Sequence, residues 1–327
     1  MDGLTFKTQA GLDIANVRDY MYWDTESGDG YGYGGLIEEV NSTYATWNWQ
    51  NVLNFTRTFN SVHNLTATAV QEYTHSETEY MDGSVYELSD PFFSEHIISN
   101  TFGQKDVGGW KSENGLASYM FRANYNYDSK YYIGASIRYD GLSKLPKDTR
   151  WGTFWGASAA WRLSREKFWT EAPVNEWFND LRLRASYATI GNSALGSDYP
   201  YLGTYGAKLV GPMAGIAWNV MGNNNLKWET TETFDIGLDG ALFNNRMTFE
   251  IAYWQKNSKD LVLRVPTPPT MGIPNNYYYD NIGKIKNSGF ELTVGGTIIN
   301  TKDWNWHSDI NFSTVKNTVK ELYGGTD

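Results

Sequence analysis

The chain has 327 residues, no cysteine, 16% aromatic residues and a formal net charge of -10, a length that suits one large β domain or two ordinary ones. The missing thiols exclude disulfide scaffolds, thiolate zinc sites and cysteine nucleophiles, and 27 Lys+Arg against 37 Asp+Glu leave no excess of cations to displace the counterions of a nucleic acid. A mean hydropathy of -0.52, with no apolar run approaching about 18 residues, excludes a transmembrane helix but not strands that cross a bilayer, which alternate apolar with polar residues.

Met1-Asp2-Gly3 opens no basic-then-apolar run, so no signal peptide is read there. Period-two patterning predicts about eleven strands, at 4-23, 36-58, 63-81, 112-127, 130-140, 151-163, 180-190, 227-243, 246-264, 280-299 and 303-319. Between the first two, the run SGDGYGYGG at 27-35 lacks the Lys-Ser/Thr and the helix of a phosphate cradle and reads as a flexible loop tip. Asp24, Glu26 and Asp29 beside it have the wrong spacing for a calcium loop. Tyr119, Phe121, Ala123, Tyr125 and Tyr127 alternate with Arg122, Asn124 and Asn126, and after Asp128-Ser129-Lys130 the pattern resumes at Tyr131, Ile133, Ala135 and Ile137. Tyr125, Tyr127, Tyr131 and Tyr132 around that turn suit an interfacial girdle. The segment 164-179 breaks the scheme, with Arg165, Glu166, Lys167, Phe168 and Trp169 able to form a helical turn. Phe234, Ile236, Leu238 and Leu242 share one face against Asp235, Gly237 and Asp239, Asn244-Asn245 turns, and Met247, Phe249, Ile251 and Tyr253 return on the apolar face as a hairpin.

Connections alternate in length: short at 59-62, 128-129, 244-245 and 300-302, long at 82-111, 141-150, 191-226 and 265-279. A sandwich has no reason for that asymmetry, whereas outer-membrane barrels pair short periplasmic turns with long extracellular loops. The expected fold is therefore all-β, an antiparallel up-and-down transmembrane β-barrel. The alternative is a soluble carbohydrate-binding β-sandwich module. In the barrel reading the face opposite the apolar one looks into the lumen, which places Arg122, Arg138, Arg162, Arg182 and Arg184 there.

Catalytic chemistry is poorly supported. Four scattered histidines, His63, His75, His96 and His307, form no HxxxH pair, no GxSxG occurs, and the pairs Glu38-Glu39, Glu77-Glu79 and Glu229-Glu232 suit polar strand faces as well as a glycosidase. Neither a catalytic residue nor a metal or cofactor is expected. Aromatic loop residues are the better lead, because rings with few rotamers stack on sugars or grip peptide side chains. The substrate-contact candidates are Tyr199, Tyr201, Tyr205, Trp218, Tyr277 and Tyr278.

At 223-263 the chain reads NNNLKWETTETFDIGLDGALFNNRMTFEIAYWQKNSKDLVL, and ordered blocks follow the same pattern at 138-169 (RYDGLSKLPKDTRWGTFWGASAAWRLSREKFW), 181-192 (LRLRASYATIGN) and 281-294 (NIGKIKNSGFELTV). This resembles the SusC/RagA-type TonB-dependent outer-membrane transporters. Asn224 stands where the family usually has proline, and Glu250 where it often has another polar residue. The resemblance implies that residues 1-327 are part of a TonB-dependent receptor β-barrel domain, a half-barrel open at both edges, since such barrels have roughly 22 strands around a plug. No signal peptide, TonB box or plug domain is recognised. It also implies the outer membrane of a Gram-negative bacterium, with lipid around the barrel and a SusD-like lipoprotein over it. The TonB complex would act through the missing plug region to take up a glycan or peptide ligand, and the chain would not be an enzyme.

Overall fold

The computed structural model describes residues 3–88, 97–99 and 101–323. Among the described residues fifteen strands form: β1 (Leu4–Trp23), β2 (Leu36–Phe59), β3 (His63–Tyr86), β4 (Lys105–Tyr127), β5 (Tyr131–Leu142), β6 (Trp151–Arg162), β7 (Phe178–Asn192), β8 (Thr204–Val210), β9 (Met213–Val220), β10 (Glu229–Leu242), β11 (Met247–Lys259), β12 (Val262–Pro266), β13 (Tyr277–Asn281), β14 (Lys284–Asn300) and β15 (Asn305–Glu321). Eleven of them make one antiparallel sheet in the order β1-β2-β3-β4-β5-β6-β7-β10-β11-β14-β15, which does not close. The rest are two hairpins, β8-β9 and β12-β13.

The chain divides into two compact units, one of Met1–Thr8, Asn51–Gln71 and Ala117–Asp327, the other of Gln9–Gln50 and Glu72–Leu116. In the first, pairing aligns like with like across seven strands. Tyr131 faces Trp161, then Leu183, Leu238, Ile251, Leu292 and Phe312 in unbroken succession. One residue along each strand, Arg162 faces Arg182, then Asp239, Glu250, Thr293 and Asn311. Side chains alternate across the pleat, so these rows lie on opposite faces. The apolar row is not covered, with Tyr131 42%, Leu183 39% and Phe312 56% exposed. The sandwich alternative, which needs a second sheet packed over that face, is not what the strands build.

Two aromatic groups bracket the apolar face. Tyr127, Tyr131 and Trp161 stack at 6.3 and 6.4 Å at the end near the 128–130 turn, and Tyr139, Trp151 and Tyr119 stack at 4.7 and 6.5 Å further along. Tyr131 and Tyr139 are roughly 27 Å apart along β5 at about 3.4 Å per residue, with Ile133, Ala135 and Ile137 between. The expected four-tyrosine girdle loses one member, since Tyr132, next to Tyr131, lies on the polar side and donates to the Ser129 carbonyl at 3.1 Å.

Tight turns use left-handed backbone. Asn60 and Ser61, and again Asp128 and Ser129, have φ between 48° and 61°, the pair of positive values that matches a hairpin to the twist of its strands. The 244-245 turn is longer than expected: Phe243, Asn244 and Asn245 all have positive φ, and Leu242 pairs with Met247. Asn179 Oδ1 accepts from Asn244 N, and the Arg246 guanidinium donates to the Thr297 and Ile298 carbonyls. The helical turn expected in 164-179 forms at Lys167–Thr170.

Four expectations need correction. Strands 246-264 and 280-299 each split, because Asp260 (φ 57°) and Gly283 (φ 89°) turn the backbone out of the ladder. Asn281 holds the break together, donating to the Lys227 and Asp260 carbonyls and accepting from Lys227 N. The link 191-226 contains the β8-β9 hairpin, hidden in a Gly- and Ala-rich stretch without clear alternation. The link 82-111 shortens because β3 and β4 extend to Tyr86 and from Lys105; its residues 89–96 and 100 lie outside the described residues. In the second unit the 27-35 run is a packed turn and not a free tip: Gly28–Tyr33 is a 3-10 turn with Gly30 buried against the Trp23 and Asp24 backbone. Tyr33 contacts Trp23 and Tyr86 there, and Ile37, Val85 and Leu88 form the small core with Tyr22 and Ile98. Asp24 Oδ1 accepts from Glu26 N at 2.7 Å, a local turn.

At Gly240 the Phe249 ring covers the position of a Cβ. We expect Gly240→Val to destabilise the sheet by about 1–3 kcal/mol through overpacking and Phe249→Ala in the same chain to recover most of the difference, as read from urea midpoints. A pH effect is expected at Glu166, in the link after β6. Hydrogen bonds from the Tyr131 hydroxyl and the Trp161 indole hold its carboxyl below the ordinary value of 4.5. A lowered folded-state pKa gives stability that is complete above the ordinary value of 4.5 and is lost as pH falls from there through the lowered one. The urea midpoint of the native chain should therefore fall more steeply between about pH 5 and 3 than that of Glu166→Gln.

Candidate functional site

The polar face of β6, β7, β10 and β11 carries the densest charge in the first unit. Arg162 makes a two-pronged bond to Asp180 (Nε–Oδ1 and Nη2–Oδ2, both 2.7 Å), and Ser164 Oγ adds a third at 2.5 Å. Asp239 is shared, taking Arg182 on Oδ2 at 2.6 and 2.9 Å and Arg184 Nε on Oδ1 at 3.2 Å. Arg184 Nη1 reaches on to Asp235 at 2.5 Å. Arg184 has room because its cross-strand partner is Gly237, where a Cβ would meet the guanidinium at 2.7 Å. Each of these carboxylates already holds a cation, so the wall is a hydrogen-bonding surface of interleaved sign and not a poised acid–base pair.

The five arginines picked from the sequence do not form one group. Arg182 and Arg184 are joined through Asp239, while Arg162, the cross-strand neighbour of Arg182, holds a separate aspartate, Asp180. Arg138 stands apart, bonded to Asp140 at 2.8 Å and to Ser118 Oγ at 2.9 Å. Arg122 borders a cleft of about 250 Å³ with Ser136, Ser158 and Ser186. A larger groove of about 480 Å³ runs beside it, lined by Asn64, Asn124, Asn126, Ser158, Arg184 and Asp235. A groove of about 500 Å³ with almost entirely apolar walls lies among Phe6, Leu53, Ala69, Tyr119, Phe121, Ile137 and Tyr139.

The long links of this unit are built on a small core of their own. Leu142, Leu145, Leu195, Leu226 and Trp228 are buried. Trp228 Nε1 donates to the Arg150 carbonyl at 2.8 Å, its ring meets Phe154 edge-on at 5.2 Å, and Thr149 Oγ1 donates to the Leu226 carbonyl. These contacts tie 143–150 to 193–228. Asn223 Nδ2 then donates to the Tyr279 carbonyl and Asp280 Oδ1, both at 3.0 Å, and a bridge joins Met221 to Tyr278.

On that base the loop aromatics separate. Tyr205 and Trp218 pair across β8-β9 with centroids 4.4 Å apart and remain exposed, next to Ile216 at 81% exposure. Tyr199 is exposed, while Tyr201 is half-buried and accepts Asn223 N on its carbonyl. Tyr277 and Tyr278 diverge: Tyr278 faces buried Val265 and the Met221 bridge, whereas Tyr277 shares the other face with Tyr279, their rings 5.7 Å apart. Arg264 lies over both, 4.6 Å from the Tyr277 centroid and 5.9 Å from that of Tyr279. Alternation within Tyr277-Tyr278-Tyr279 was the signal that Tyr279, and not Tyr278, accompanies Tyr277. Arg264 had none, because its contact is made across the hairpin.

In the second unit His75, Glu77 and Glu113 bring ligand atoms within 4.8 Å of one another, a cluster that the sequence spacing concealed. Its Glu77 already pairs with a cation, Lys111, whose Nζ lies 2.5 Å from Glu77 and 3.0 Å from Glu79, and His75 Nε2 lies 3.9 Å from Glu113.

A family model described as TonB dependent receptor-like, beta-barrel matches residues 2–327. The chain is 31% identical over 323 residues to "TonB-dependent receptor P39" of Formosa agariphila, covering 98% of this chain and 30% of that protein. It is 32% identical over 230 residues to "TonB-dependent receptor SusC" of Bacteroides thetaiotaomicron, covering 68% of this chain and 22% of the relative. The solved RagAB peptide transporter superposes with a TM-score of 0.88 at 28% identity, over all of this chain and 36% of the matched one. The chain thus spans about a third of the length of its long relatives.

Asp239→Asn should leave Arg182 and Arg184 short of a shared counter-charge and cost about 1–2 kcal/mol, discounted for their partial exposure. Adding Arg182→Gln should cost less than the sum of the two single changes, because the substitutions remove the same interaction. A double-mutant cycle on urea midpoints checks this.

Proposed function

The chain belongs to the TonB-dependent receptor-like β-barrel family, and we propose that it forms part of the barrel wall of an importer in the outer membrane of a Gram-negative bacterium. The apolar face meets lipid, and Arg122, Arg138, Arg162, Arg182 and Arg184 line the lumen. Energy comes from TonB through a plug within the barrel. A SusD-like surface lipoprotein works with the long loops, and the cargo is a glycan or oligopeptide taken up without bond making. One relative carries the name SusC and a matched structure is a peptide transporter, which supports an oligomeric nutrient of either kind.

The observation that carries this reading is the pair of aromatic stacks on the apolar face. Their spacing of roughly 27 Å along β5 projects to roughly 20 Å at a tilt of about 40°, close to the ~25 Å apolar band between the aromatic girdles of outer-membrane barrels. On the apolar face of β5 that interval holds only Ile133, Ala135 and Ile137. The rows that cross β5, β6, β7, β10, β11, β14 and β15 extend the same surface.

Leu238→Arg places a charge within the band and should cost about 2–4 kcal/mol of membrane stability, so that folded, heat-modifiable transporter falls sharply. Thr293→Arg, on the opposite face beside Glu250, should assemble at the native level. Equal assembly of both variants would remove the lipid-facing assignment. Uptake of labelled oligosaccharide or oligopeptide by cells carrying the full-length transporter, abolished when TonB is deleted, tests the transport step itself.

A further inference from the structure

We infer that Arg264, held over Tyr277 and Tyr279 on the β12-β13 hairpin, is an anion-recognition point that selects carboxylate-bearing cargo. This rests on the importer reading and deepens it.

In a chain of net charge -10, arginines have carboxylates to spare as partners. Arg138, Arg162, Arg182 and Arg184 each take one or more aspartates. Arg264 differs from these four in holding no carboxylate: among the described residues its partners are the two tyrosine rings and the Tyr279 hydroxyl, which accepts from Nε at 3.4 Å. The hairpin's own carboxylate, Asp280, is engaged by Asn223 Nδ2 at 3.0 Å and by Asn281 N at 2.9 Å. An exposed guanidinium supported on ring faces keeps its charge and its orientation. Its remaining N–H groups form the planar fork that receives a carboxylate with two parallel bonds.

The support is rigid, which lowers the ordering cost of binding. The hairpin's reverse face is anchored through fully buried Val265 and the Met221–Tyr278 bridge. The connecting segment 266–276 has four prolines and is closed by the Thr267 N to Asn276 carbonyl bond at 2.7 Å. Register puts Tyr279 opposite Arg264 and Tyr277 opposite Pro266, so the exposed cation and the two half-buried rings share one face.

The test uses full-length transporter in detergent with two matched ligand pairs: tetragalacturonate against its methyl ester, and a hexa-alanine free acid against its amide. The first pair probes an acidic saccharide, the second a peptide terminus. Calorimetric titration should show at least one acid bound about tenfold more tightly than its neutral mate, the scale of a charge-assisted pair. Arg264→Gln should erase that preference, Arg264→Lys should keep part of it, and heat-modifiable migration should stay native in both. If neither pair shows a preference, or if the preference survives Arg264→Gln, the inference is overturned. Acid and neutral members binding equally well, independently of Arg264, leaves the importer reading standing and removes only the anion preference. Binding of no member to native protein counts against both.

Discussion

A shift of one residue between β10 and β7 would set Leu238 against Arg182 and Asp239 against Leu181, turning charge into the apolar row along the whole strand. Register is the constraint on which everything else in the sheet depends. It is enforced from both faces at once, since the row from Tyr131 to Phe312 repeats one kind of side chain across seven strands while Arg182, Asp239 and Arg184 interlock on the other side. Long strands make the requirement stricter, because one slip misplaces every later side chain.

Where the ladder ends, local chemistry takes over. The short links use positive φ at Asn60, Ser61, Asp128 and Ser129, which twists the returning strand into line without added length. The long links cannot rely on a sheet and so close on buried apolar residues, with Trp228 and Leu226 at the centre. Asn281, with bonds to Lys227 and Asp260, stands in for the hydrogen bonds that β11 and β14 forgo beyond Lys259. That interruption frees the β12-β13 hairpin from the sheet and makes a separate platform that carries Arg264, Tyr277 and Tyr279.

The two faces of the sheet treat charge differently from the loops. On the polar wall, arginine and aspartate alternate until each is satisfied, a pattern that orders the wall and leaves little free charge to attract a ligand. In the loops Tyr205 and Trp218, paired with each other, and Arg264, over its two tyrosine rings, remain exposed, and Arg264 holds no carboxylate among the described residues. Specific recognition is better served by the second kind of group, since a contact already made within the protein has nothing to add to a complex.

Much of this was legible in the residues. Alternation such as Phe234, Ile236 and Leu238 against Asp235 and Asp239 determined the strands and their two faces, because a strand's period of two leaves no other way to segregate them. The ordered blocks around KWE, IGLD and FNNR pointed to the family, and link lengths to up-and-down topology. Strand breaks at Asp260 and Gly283, the β8-β9 hairpin and the join of His75 to Glu113 were not legible, since each depends on backbone torsion or on residues distant in sequence. The same holds for the division of labour among the aromatics: Tyr132 left the expected girdle and Tyr278 turned away from Tyr277, while Tyr279 joined it beneath Arg264. Pattern along a strand assigns a side chain to a face, but partners across a hairpin are set by register and by where the loop core anchors that hairpin, and only the folded chain decides both.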